Sequence, residues 1–369
     1  MMHSTMLRFP AAALIVCAWC SLSAAKTYTI SEGQAIQPVI DKAEPGDIIQ
    51  VLPGEYPETI VINKPGLTVH GMEFEGTRTT LDGLDKDSTE LAAVAISIEA
   101  DDVICKGFRI RNVTSPAVRA SGLSNIEISG LDIDVSGDYG IHLEDIVGLK
   151  MHDNTVRGAS DSAILINRSQ DAVLTDNEAF HNAIGLTLLD NVQVRVDDFT
   201  AHANGMGIII ANTKGSEGQG EYTKVTNSRI AHIGTAYSPE SVPNSPYYMP
   251  GLGIRIVGAW HTEIARCYFE NNGSVGILTQ QWTGDGDARP FAPRHNYVHH
   301  NIYSANGEQP GEHYTDAFPD FEGGDLYWDG EGRRNQWQEA DPPEGSLKVF
   351  PEDLISKFGG VHTNVMHFL

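Results

Sequence analysis

The chain has 369 residues, with 25 Lys and Arg against 49 Asp and Glu, for a formal net charge of −24. That balance disfavours nucleic acid and anionic membranes as partners, and it opposes a polyanionic ligand unless a local basic patch or a bound cation intervenes. Only four cysteines are present, two of them before residue 26, so a disulfide framework is excluded and stability must come from packing.

In chain order, residues 1–25 read as a secretory leader. Arg8 supplies the positive start, residues 9–19 form an apolar run too short to span a bilayer, and Ser23 and Ala25 place small residues before a cut after Ala25. Neither Cys17 nor Cys20 follows the small residue that a lipoprotein cut needs. Removing the leader takes away Arg8, leaving 24 basic against 49 acidic residues, a charge of −25. No later run reaches 18 apolar residues, so no membrane insertion is expected, and the mature chain is expected in the periplasm or outside the cell. Residues 35–43 predict a short amphipathic helix ended by Pro45-Gly46, a cover for an otherwise open first coil.

Next comes a small residue followed by alternating apolar positions, again and again. The units begin at Ala95-Ile96-Ser97-Ile98, Ala117-Val118-Arg119-Ala120, Gly140-Ile141-His142-Leu143 and Ala163-Ile164-Leu165-Ile166. They continue at Gly185-Leu186-Thr187-Leu188, Gly207-Ile208-Ile209-Ile210, Gly253-Ile254-Arg255-Ile256 and Gly276-Ile277-Leu278-Thr279. Successive starts differ by 22, 23, 23, 22, 22, 46 and 23 residues, a repeat carrying strands rather than helices. This predicts an all-β, right-handed parallel β-helix over residues 26–306. The step of 46 reads as one coil with two extra loops, 214–222 and 235–250. A second strand per coil ends in Asn or Asp, which predicts a structural column of Asn154, Asn177, Asp198 and Asn227. Residues 307–369 lose the period and read as an irregular C-terminal cap, packing back through Phe321, Tyr327, Trp328 and Trp337.

The stretch Ala35-Ile36-Gln37, Ile40-Asp41-Lys42-Ala43, Pro45-Gly46-Asp47, Val51-Leu52-Pro53-Gly54-Glu55-Tyr56 and Ile60-Val61-Ile62-Asn63-Lys64-Pro65 resembles the N-terminal coil of exported pectin-lyase-like β-helix proteins. The resemblance runs to about Asn306 and takes in the NosD-like copper-accessory proteins and the mannuronan epimerases. Gly324-Asp325-Leu326-Tyr327-Trp328-Asp329-Gly330 also looks like a terminal motif of one subgroup. The resemblance implies the fold, but the fold hosts many chemistries. The Asp-Pro-His-Asp segment of the epimerases, the Gly-His-Gly segment of polygalacturonases and the paired carboxylates of pectin methylesterases are absent. Arg289-Pro290-Phe291-Ala292-Pro293-Arg294 only loosely echoes the arginine motif of pectate lyases.

Alternation turns Ser97, Arg119, His142, Leu165, Thr187, Ile209, Arg255 and Leu278 outward on the first-strand sheet, as a binding groove or as the seat of a loop or tail. Arg255 and His142 are suited to an anionic sugar or to acid–base work, and equally to solvation or to a pairing of His142 with Glu144. Tyr247 and Tyr248, with Tyr237, Trp260 and Trp282, offer rings for stacking on sugars or for pinning loops. Arg289 and Arg294 complete the candidate binding set. Asp285 and Asp287 could ligate Ca²⁺, and the run His295, His299 and His300 suggests exported metal handling or a solvated strand. Two readings follow: a polysaccharide-binding or polysaccharide-processing protein, as lyase, epimerase or hydrolase, and a non-catalytic NosD-like accessory that handles a metal or supports a protein partner.

Overall fold

The computed structural model of the chain describes residues 24–84, 90–135, 137–213, 222–234, 250–280, 296–299, 301–304, 306, 317–320 and 326–327. They form a right-handed parallel β-solenoid of about 10 turns. Around one coil the chain passes Ile141–Glu144, Lys150–His152 and Thr155–Arg157, and Ser162–Asn167 then begins the next. These three strands belong to three long sheets, here I, II and III, of ten, twelve and eleven strands. Parallel neighbours need a long crossover, and each coil supplies it with its other two strands.

Sheet I contains the strands read from the sequence. Its interior column of Ile96, Val118, Ile141, Ile164, Leu186, Ile208, Ile254 and Ile277 is paired in register from coil to coil. All eight are at most 1% exposed. At roughly 1.5–3 kcal/mol for each buried aliphatic side chain, such columns replace the globular core that the chain lacks. Met206–Ala211 pairs directly with Leu252–Val257, so the step of 46 is one coil. Sheets I and II also continue past Asn306, with Ala317–Asp320 beside Val275–Gln280 and Leu326–Tyr327 beside Asn296–His299. The remainder of the expected cap, 307–369, lies outside the described residues.

The helix spans Gln37–Lys42 and buries Ile40. Glu58 accepts from the backbone N–H groups of Ile36 and Gln37 at 2.8 and 3.3 Å. The Gln37 side-chain amide accepts from Val61 N–H at 2.7 Å and donates to Val61 C=O at 3.2 Å. Val61 lies in Ile60–Ile62, the first strand of sheet I. The helix thus satisfies an edge that would otherwise invite pairing.

The corner before sheet III corrects the predicted asparagine column. Asn154 N–H and Nδ2 donate to Asn177 Oδ1 at 3.2 and 2.9 Å, and Asn177 Nδ2 donates to Met151 C=O at 3.0 Å. Asp198 and Asn227 stand one residue earlier, exposed, in a left-handed column with Asp153 and Asp176 where φ is 53 to 57°. Their inward successors are Phe199 and Ser228. Asp and Asn suit the outer position because short polar side chains tolerate the left-handed backbone. Two further buried ladders run along other corners, one through Ser169 and Asn191, the other through Asn182 and Asn204.

Candidate functional site

The outer column of sheet I changes character along the solenoid. Arg119 is exposed and His142 and Leu165 are half-buried, whereas Thr187, Ile209, Arg255 and Leu278 are 8%, 1%, 2% and 3% exposed. Arg255 was expected as an open cation and is instead sealed, which removes it as an accessible grip for an anionic sugar. Its neighbours share that burial. Ile209 and Leu278 flank it in register, and Met206, Leu252 and Val257 are also buried while standing outside the interior core cluster. The outer face of these coils is therefore closed to solvent and largely apolar, a setting that suits a long alkyl stem. Trp260 is half-buried at the corner leading to sheet II, three residues past Val257. Tyr247, Tyr248, Trp282, Asp285, Asp287, Arg289 and Arg294 lie outside the described residues, as do Tyr237, His295 and His300.

Where the column opens, the structure gathers titratable groups around His142. Gly140 precedes the strand Ile141–Glu144, and the corner before it carries Asp138 and Tyr139. The Tyr139 N–H donates to Ser115 Oγ at 2.9 Å, which fixes this corner against the coil before. The Tyr139 ring lies 5.0 Å from the His142 ring at an interplanar angle of 46°. Its hydroxyl faces Asp161 Oδ2 of the next coil at 3.4 Å. Ser162 Oγ donates to Asp161 Oδ1 at 3.0 Å and meets Thr187 Oγ1 at 2.8 Å.

Partial burial sets the protonation states. It lowers the pKa of His142 against the opposing pull of Glu144, so the imidazole is neutral near pH 7. Glu144 itself is engaged by the Arg168 guanidinium. Burial, with Asp161 and Asp138 nearby, pushes the Tyr139 phenol up to about 12, so it keeps its proton. Burial and the Asp138 charge raise the pKa of Asp161, partly offset by the bonds from Ser162 and Tyr139. A neutral imidazole, a protonated phenol and a carboxyl group on one solvent-reached ledge can accept, donate and hold a proton. Among the described residues no group of three or more His, Cys, Asp or Glu is placed to hold a metal ion.

His142 was visible from strand alternation, but Tyr139 and Asp161 were not. Their spacing of 22 residues is the repeat itself, and it stacks them on adjacent coils. That coincidence was the signal available.

Residues 66–230 match the family model described as right handed beta helix region. No curated protein matches the chain in sequence. Among solved structures, the A-module of mannuronan C-5 epimerase AlgE6 from Azotobacter vinelandii superposes with a TM-score of 0.54 at 16% identity, covering 79% of this chain and 86% of that one. Pectate lyase Pel9A gives a TM-score of 0.48 at 12% identity, covering 82% of each chain. An alginate lyase from Paenibacillus sp. str. FPU-7 gives 0.43 at 14% identity, covering 75% of this chain and 98% of that one. At these identities the likeness is one of fold.

Proposed function

From a right-handed parallel β-helix of the pectin-lyase-like type as premise, we propose that this chain binds or processes a polysaccharide on the open part of the outer face of sheet I. The observation that carries this reading is the cluster of Tyr139, His142 and Asp161. His142 acts as the proton acceptor, Tyr139 as the donor, and Asp161 orients the phenol. Among the described residues no hydrogen bond engages either imidazole nitrogen of His142, so both are available to a ligand. The mannuronan C-5 epimerase module that shares the fold acts on a polymer of this class, which supports the choice of polysaccharide. Cleavage of the leader after Ala25 would export the mature chain to where such polymers are met.

Binding of the purified protein to alginate, pectate and neutral glycans, with and without Ca²⁺, tests the reading, with products followed by NMR. We expect binding to at least one polymer. If the bound polymer is altered, His142→Ala and Tyr139→Phe should each slow turnover by roughly 10²-fold or more. The acid limb of the rate profile should then lie below the ordinary histidine range, because burial lowers the pKa of His142. A parent protein that binds none of these polymers sinks the proposal and leaves the NosD-like accessory reading in its place.

A further inference from the structure

We infer that the ligand of this site is an acidic glycan and that Arg119 reads its carboxylate. The inference rests on the polysaccharide reading above and adds the substrate class and the residue that selects it.

Arg119 occupies the outer column one coil before His142, and the two are direct register partners. The rung spacing of a parallel sheet, about 4.8 Å, puts a group held by Arg119 within one sugar of a group facing His142. Its Nε donates to Ser97 Oγ at 3.0 Å, and Ser97 in turn donates to Glu99. That single bond fixes the guanidinium plane. The two terminal nitrogens, the pair that grips a carboxylate bidentately, hold no ion pair among the described residues.

Other arginines on the outer sheet faces differ. Arg109, Arg111, Arg157 and Arg229 on sheet III and Arg195 on sheet II each have a carboxylate within 4.0 Å. In a chain with 49 acidic side chains, an exposed arginine held by a serine hydroxyl and left open to solvent is a departure from the pattern. The overall charge repels a polyanion at long range, and an open local cation of this kind offsets that repulsion at the site.

The test compares pectate with fully methyl-esterified pectin, and alginate with carboxyl-reduced alginate, by calorimetry at low salt. The parent should prefer the charged member of each pair by about tenfold, the scale of one charged hydrogen bond. Added salt should shrink that ratio. Arg119→Gln should bring the ratio to about one, and Arg119→Lys should restore part of it. Arg195→Gln on sheet II, away from the site, should keep the parental ratio. A parent that binds glycans without preferring the carboxylate form, or an Arg119→Gln variant that retains the preference, overturns this inference and leaves the polysaccharide reading standing. A parent that binds no glycan overturns both.

Discussion

The Tyr139 hydroxyl and Asp161 Oδ2 face each other at 3.4 Å across one coil boundary, and the carboxyl group titrates higher there than in the unfolded chain. A folded pKa above the unfolded one means that the native state holds its proton longer. Asp161 therefore costs stability as pH rises through and above about 4, and costs none once both states are protonated below that. Asp161→Asn should raise the melting temperature at pH 7, and the gain should disappear in melts run near pH 3. A gain that persists unchanged at pH 3 would refute the electrostatic account.

The corrected ladder separates two residues that look alike in sequence. Asn177 accepts two bonds from Asn154 and donates to Met151 and Thr175 while fully enclosed. Asn177→Ala orphans buried donors and acceptors and should cost about 3 kcal/mol. Asp198→Asn, at an exposed left-handed position that Asn also tolerates, should stay within about 0.5 kcal/mol. Denaturant unfolding of the two variants, compared at equal m-value, decides it.

Ile208 sits in the interior column between Leu186 and Ile254 with no exposed surface. An unpaired carboxylate there loses several kcal/mol of solvation, a large share of the roughly 5–15 kcal/mol that holds a typical fold. Ile208→Asp should abolish cooperative folding. A soluble variant with a sharp thermal transition would mean that the inner and outer faces of sheet I are reversed.

Cys105 and Cys267 are both buried and free, and burial pushes each thiol up to about 12. Cys105 lies in Ile104–Lys106 and Cys267 two residues past Glu263–Ala265, strands six steps apart in sheet II, or roughly 29 Å at 4.8 Å per rung. Native protein at pH 8 should therefore resist alkylation at both positions, and both should label after unfolding. Peptide mass analysis showing a Cys105 to Cys267 bridge would break the coil register.

Much of this fold was legible because sheet I repeats a small residue and three alternating positions every 22 or 23 residues, and because an interior column admits little besides Ile, Leu and Val. The third strand was not. Segments such as Arg109–Arg111, Asp132–Asp134 and Thr155–Arg157 have three residues with one apolar side chain between polar ones, too short for a period to show. The asparagine column slipped by one residue for a related reason: Asp153-Asn154 and Asp176-Asn177 place both polar types side by side, while Asp197-Asp198-Phe199 does not. Alternation correctly turned Arg255 outward, yet direction says nothing of what lies beyond the sheet. His142 was found by the same rule, whereas Tyr139 and Asp161 sit in corners that obey no alternation.

The asparagine ladders point one way. Asn154, Asn182, Asn191, Asn272 and Asn301 each accept an N–H from, or donate to a carbonyl of, the coil that precedes them in sequence. The backbone donor at each such corner is thus satisfied only when the following coil has arrived. A chain emerging from synthesis N-terminus first would carry one incomplete rung at its growing end, while every rung behind it is closed. Loss of coils from the C-terminal end would reopen such a rung and strand buried N–H groups. Loss from the other end would leave these side-chain amides without partners, together with strand N–H groups such as those of Lys150 and Thr155 that donate to the coil before. The corner ladders therefore close in a vectorial order, each completed from its C-terminal side.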